Sequence, residues 1–184
     1  MVSTVSDIPV LRVDTPGDLL TPGLRTQINR ANRRLAADGL AAVDVVIIAP
    51  LRLRHAATVI EEAHVRRDRA RDGGRGVSDL DDPHALAAWR TSWACHLADG
   101  SLELTILELD DGQLCRRVMA AYCVAVREPP VYRVLDSRMV DGFARYSPGR
   151  VLEDLVIRRV QADPDYDVID WGSAEHAGAL IAVS

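Results

Sequence analysis

The feature that most constrains this chain is a strand–turn–helix–strand run in its C-terminal third. Val131 to Leu135 reads as a strand, and residues 136–146 form a connection. Ser147-Pro148 then opens a helix, with Ser147 as N-cap and Pro148 at the first helical position. Val151, Leu152, Leu155, Val156 and Val160 make its apolar face, and Asp163-Pro164 ends it. Val168-Ile169-Asp170-Trp171 is a closing core strand. A helix between two neighbouring strands makes them parallel, with a right-handed crossover.

The segments before this run complete an expectation of fold. Val10 to Val13 is a short strand, and Thr21-Pro22 opens a helix that stops at Gly39. Leu24, Ile28, Ala31 and Leu35 form its apolar stripe. Residues 42–49 read as a buried strand, 51–71 as a helix and 72–82 as a Gly- and Asp-rich loop. Asp82-Pro83 begins another helix, along which Trp89 and Trp93 form a core stripe. Residues 102–109 and 114–126 are strands joined at Asp110-Asp111-Gly112, a hairpin signal. The expected class is α/β (α+β): a mixed, mostly antiparallel sheet flanked by helices, in a single domain over residues 1–184.

Composition narrows the chemistry. All 22 basic residues are Arg, so an anion must be held by guanidinium groups or backbone N–H. The net charge of −5 argues against a broad nucleic-acid-binding face. Cys95, Cys115 and Cys123 form no CxxC or zinc spacing and read as reduced core thiols of a cytoplasmic protein; no metal is expected. No apolar run reaches the roughly 20 residues of a membrane span, and Met1 to Pro9 lacks a signal-peptide pattern.

The helix opened by Ser147 is an expected anion site. A helix N-terminus presents unpaired N–H groups and a partial positive charge. Pro148 donates nothing, which leaves Gly149, Arg150 and Val151 as the expected donors, with Arg145 and Arg150 flanking them.

The run Tyr132-Arg133-Val134-Leu135-Asp136, followed by Phe143-Ala144-Arg145-Tyr146-Ser147-Pro148-Gly149-Arg150-Val151-Leu152, resembles the GCN5-related N-acetyltransferase (GNAT)-like proteins of the CelD (cellulose-biosynthesis)/BioF2-like group. The Arg-rich first helix, the Trp89 to Leu104 passage and Ile169-Asp170-Trp171-Gly172 resemble further pieces of that group in order, over about residues 20–176. The group often carries two GNAT-like halves, and this chain matches the second, so a homodimer would replace the other. The resemblance implies a GNAT fold and an acyl-CoA thioester, acetyl-CoA above all, as donor. The expected donor-binding residues are Leu135, Ser137, Arg138, Arg145, Ser147, Gly149, Arg150 and Val151. Two departures matter. Aligned on Arg145, the Gly positions of the usual turn hold Pro148 and Arg150, and the family's Lys after the closing strand is missing, with Glu175-His176 nearby.

Acyl transfer to an amine needs a neutral amine, stabilisation of the tetrahedral oxyanion and a leaving thiolate. Asp136, at the end of its strand, is the candidate base or amine-orienting group. Tyr146 is the candidate general acid, with Tyr132 and Tyr122 behind it. Glu103 is a further catalytic candidate, with Glu108 read as sharing its strand face, and His176 beside Glu175 is another. His55, His64, His84 and His96 read as surface or satisfied residues. The expected function is N-acylation of a small-molecule or peptide amine. The alternatives are a donor carried by acyl-carrier protein or tRNA, met by the Arg clusters at 25–34 and 66–75, or a degenerate binding module.

Overall fold

The computed structural model describes residues 10–13, 19–70, 74–112 and 116–172. In chain order these form β1 (Val10–Arg12), α1 (Pro22–Ala37), β2 (Leu40–Ile47), α2 (Pro50–Arg69), a 3-10 turn (Asp79–Asp81) and α3 (Pro83–Ala98). Then follow β3 (Leu102–Asp111), β4 (Arg116–Glu128), β5 (Val131–Met139), a second 3-10 turn (Ala144–Tyr146), α4 (Pro148–Gln161) and β6 (Val168–Asp170).

Helix starts follow local chemistry. The Thr21 hydroxyl accepts from Leu24 N–H at 3.1 Å, and the Asp82 carboxylate accepts from His84 N–H at 3.0 Å. Each cap is followed by Pro at the first position. Gly39 and Gly100 close α1 and α3 with φ of 71° and 76°, a conformation that favours glycine.

The six strands form one sheet in the order β1-β6-β5-β4-β3-β2. The β5–β6 pair is parallel and every other pair antiparallel, as the crossover helix requires. One face is covered by α1 and α4. There Leu24, Ile28, Val151, Leu152 and Val156 pack on Ala121, Cys123, Tyr132 and Val134. The other is covered by α2 and α3, where Leu53, Ile60 and Trp93 pack on Leu102, Leu104, Tyr122 and Val124. Each large aliphatic side chain so buried contributes roughly 1.5–3 kcal/mol. The central strand β4 is covered on both faces, so Ala120 to Val126 are all buried.

Three expectations are corrected. Ser147 stands at the N-cap position, but its side chain makes no capping bond, because its backbone is left-handed (φ 48°, ψ 49°). Glu103 and Glu108 do not share a face: they are an odd five positions apart, and side chains alternate on a strand. Cys123 is buried as expected, whereas Cys95 is exposed on α3; Cys115 lies outside the described residues.

Candidate active site

The site is built around an irregularity in β5. Its pairing with β4 runs Ala125↔Val134 and then Val124↔Asp136, so Leu135 is an extra residue and forms a β-bulge. On its other side β5 pairs with β6 only from Val131 to Arg133. Beyond that point no described strand pairs with this edge of β5. The bulge therefore marks where β5 and β6 part, leaving main-chain groups of the second half of β5 open.

That open edge leads to the start of α4. A cavity of about 470 Å³ lies there, lined by Ser137, Arg138, Met139, Ser147, Gly149 and Arg150, with Gln27 and Arg67 across from them. Five of the eight expected donor-binding residues thus meet in one cavity. The other three do not line it. Leu135 is the bulged residue and is 41% exposed. Arg145 turns towards the end of α1, where it meets Asp38 at 2.5 Å and lies 4.8 Å over the Tyr146 ring. Val151 is in the core.

The backbone donors are also fewer than expected. Arg150 N–H and Val151 N–H both donate to Ser147 C=O, at 3.0 and 3.3 Å. Val151 is the fourth residue of the helix, so its N–H closes the first helical bond. Gly149 N–H alone remains without a backbone partner among the described residues. Anion recognition here thus falls mainly to guanidinium groups. Arg150 is held by Glu153 at 2.7 Å, and Arg67 stands 3.9 Å from Asp141.

Arg138 links this cavity to a charge network on the α2 face of the sheet. Its Nε donates to Asp136 Oδ1 at 3.0 Å, and its Nη1 donates to Asp68. Asp136 Oδ2 accepts from Tyr122 hydroxyl at 2.8 Å and faces His64 Nδ1 at 2.9 Å. His64 Nε2 faces Asp79 Oδ1 at 2.8 Å and Asp68 Oδ2 at 3.2 Å. Ser78 hydroxyl donates to Asp68 at 3.0 Å. Both His64 nitrogens face carboxylate oxygens, an arrangement that favours the doubly protonated imidazolium.

The titration shifts agree with this. Burial pushes His64 down, but the hydrogen bond and charge of Asp136 and the hydrogen bond of Asp79 outweigh it and raise its pKa above the usual 6.5. Burial pushes Asp136 up, yet the His64 hydrogen bond and the Arg138 charge outweigh that and hold it below the usual 3.8. Burial, followed by the Asp136 charge, pushes the Tyr122 phenol far above its usual 10.0, so it stays protonated.

The three expected catalytic residues lie apart. Asp136 is in this network. Tyr146 donates to Asp38 at 2.7 Å, at the C-terminal end of α1. Glu103 is on the opposite sheet face, bonded to Tyr132 hydroxyl at 2.6 Å and to Arg159 at 2.5 Å. Glu175 and His176 lie outside the described residues. His64, read from the sequence as surface or satisfied, is a satisfied residue of the network, whereas Asp68 is not singled out, although a signal for both is present. They continue the buried stripe of α2, Leu53, Ile60, His64 and Asp68, at helical spacing. Two ionisable groups on the inward face of a helix need partners.

A family model described as the acetyltransferase (GNAT) domain matches residues 23–177. The chain belongs to that family. The GNAT fold expected from the sequence is the fold observed. Among curated proteins none matches. Among solved structures, FemX is similar with a TM-score of 0.58 and 10% identity, over 90% of this chain and 52% of FemX. The C-terminal domain of a putative lysylphosphatidylglycerol synthetase from Agrobacterium fabrum is similar with a TM-score of 0.51 and 14% identity, over 90% and 46% of the two chains. A conserved protein of unknown function from Bacteroides thetaiotaomicron gives a TM-score of 0.50 at 12% identity, over 91% and 50%. This chain therefore spans about half the length of the solved structures it matches. No described helix of the GNAT domain is long and apolar enough to cross a membrane.

Proposed function

We propose that this chain is an acyl-CoA-dependent N-acyltransferase, with acetyl-CoA as donor and an amine of a small molecule or peptide as acceptor. One observation carries the reading: the open edge of β5, freed at the Leu135 bulge, runs into the Arg-lined cavity at the start of α4. The amides of a pantetheine arm can pair with such an edge as a strand would. The pyrophosphate would meet Arg67, Arg138, Arg150 and Gly149 N–H.

In the transfer, the amine nitrogen bonds to the thioester carbonyl carbon and the C–S bond breaks. Sulfur leaves as thiolate, which an ordinary thiol pKa of about 8.5 makes accessible near neutral pH. The ammonium proton passes to water. Asp136 orients the acceptor amine rather than taking its proton, because three donors already occupy it and hold its pKa low. Tyr146 takes no proton-transfer role in this reading, since its hydroxyl is engaged by Asp38.

A second reading keeps the cavity and changes the donor to one carried by acyl-carrier protein or tRNA. The turn favours it: Pro148 and the Ser147 carbonyl leave Gly149 as the free backbone donor, fewer than a glycine-rich nest supplies. In either reading the chain is one GNAT domain of the CelD/BioF2-like group, acting in the cytoplasm. A second copy stands where the solved relatives have their other half.

Thiol release from acetyl-CoA with a panel of amines tests the proposal. Turnover with at least one amine supports it. Acetyl-CoA binding without turnover favours a binding module, and no binding at millimolar acetyl-CoA rejects the CoA reading.

A further inference from the structure

A second cavity lies at the other end of β5, where α4 ends. It has a volume of about 480 Å³. Tyr132, on its wall, precedes Ser137 of the first cavity by five residues, or about 16 Å along a strand. The two cavities are therefore separate sites at opposite ends of α4.

Its walls are graded in charge. Inside are Arg127, Arg159 and the buried Glu103. Glu103 accepts from Arg159 Nη2 and from Tyr132 hydroxyl, and Arg159 Nη2 also reaches Thr105 at 3.0 Å. One guanidinium is thus balanced by Glu103. Arg127 meets no carboxylate among the described residues; its Nη2 donates to Gly100 C=O at 2.8 Å. Arg127 Nε and Arg159 Nη1 are buried without any partner, two of the four such side-chain nitrogens among the described residues. At the rim stand Asp163 and Asp165, neither in an ion pair among the described residues. Val46 and Ile48, at 38% and 51% exposure, form an apolar wall with Val160.

We propose that this cavity binds a small zwitterionic amino acid with an apolar side chain. Its carboxylate takes the unsatisfied N–H groups of Arg127 and Arg159 through a small turn of their guanidinium planes. Its ammonium faces Asp163 and Asp165, and its side chain covers Val46 and Ile48. The charges support an amino acid over a phosphate. The interior holds two guanidiniums and one carboxylate, a single net positive charge, and the rim is acidic, which repels a dianion. A buried donor without a partner is unfavourable, and a planar carboxylate matches guanidinium N–H geometry. This inference is independent of the acyl-transfer reading.

Titration of the full chain with L-leucine and L-phenylalanine tests it, using N-acetylleucine, leucinamide and inorganic phosphate as controls. Saturable binding of a free amino acid is expected. Each blocked form should bind about tenfold more weakly, as loss of one charge-assisted contact implies. Arg127→Gln and Ile48→Trp, both at partly exposed positions, should each weaken leucine by about tenfold or more while leaving the melting temperature and acetyl-CoA titration unchanged. No saturable amino-acid binding overturns the proposal. So does equal binding of the blocked forms, tighter binding of phosphate, or indifference to both variants. Leucine binding without acetyl-CoA binding would reject the donor reading and leave this one standing.

Discussion

His64 Nδ1 lies 2.9 Å from Asp136 Oδ2, and this contact ties the inward face of α2 to β5 next to its bulge. Through Asp136 and Arg138 it extends to the wall of the cavity at the start of α4. The residue that aims Arg138 is therefore itself fixed from α2, a helix distant from β5 in sequence.

Replacing His64 by Leu removes the cation that Asp136, Asp68 and Asp79 surround. Breaking one side of a buried ion pair costs about 3–5 kcal/mol. Asp79 is exposed and can rehydrate, so His64→Leu should cost about 3 kcal/mol in urea denaturation. A loss below about 1 kcal/mol, the worth of a surface pair, would mean that the network is not a stabilising unit.

The same network gives a pH dependence of defined sign. The folded pKa of His64 is raised, so its contribution is fully present below the unfolded value of 6.5. It is lost as pH rises through the folded value. Asp136 and Asp79 are lowered below 3.8, so their contributions are present above that value and are lost as pH falls through their folded values. The stability gap between the wild type and His64→Gln should therefore be widest below pH 6.5 and narrow as pH rises through the raised folded value. A gap that widens with alkali would contradict the imidazolium assignment.

Ser147 carries the sole positive φ of a non-glycine residue among those described. A left-handed conformation costs about 1–3 kcal/mol, and more for a β-branched side chain. Ser147→Val should destabilise by about 2 kcal/mol. Ser147→Gly should be nearly neutral, because relief of strain is offset by greater freedom of the unfolded chain. Thermal denaturation of both variants separates the cases; equal losses would place the strain elsewhere.

Tyr132→Phe removes one hydrogen bond to Glu103 but leaves Arg159 in place. The expected cost is about 1 kcal/mol. Arg159→Met leaves Glu103 buried without its cation and should cost about 3 kcal/mol. Chemical denaturation that ranks the two in the opposite order would mean that Arg159 does not neutralise Glu103.

The fold was largely legible because its signals are local. Thr21-Pro22 and Asp82-Pro83 announce helix starts, and the helix between β5 and β6 dictates a parallel pair. The cavity at α4 was legible for a similar reason, since Ser137, Arg138, Ser147, Gly149 and Arg150 lie close in the chain. What lay hidden depends on contacts distant in sequence. His64 and Asp136 are 72 residues apart, and Glu103 and Arg159 are 56 apart. Their side chains meet only once the sheet and its helices are assembled. The left-handed Ser147 was also illegible, because a serine before a proline reads as an ordinary cap. The bulge at Leu135 has no residue signature of its own and emerges from strand register.

The central claim is that the cavity between the open edge of β5 and the start of α4 takes the acyl donor. Calorimetric titration of acetyl-CoA into the wild type and Arg150→Glu tests it most directly. The account predicts saturable one-to-one binding to the wild type, weakened by about tenfold or more in Arg150→Glu through loss of a charge-assisted contact. Absence of binding to the wild type, or equal binding to both proteins, would contradict it.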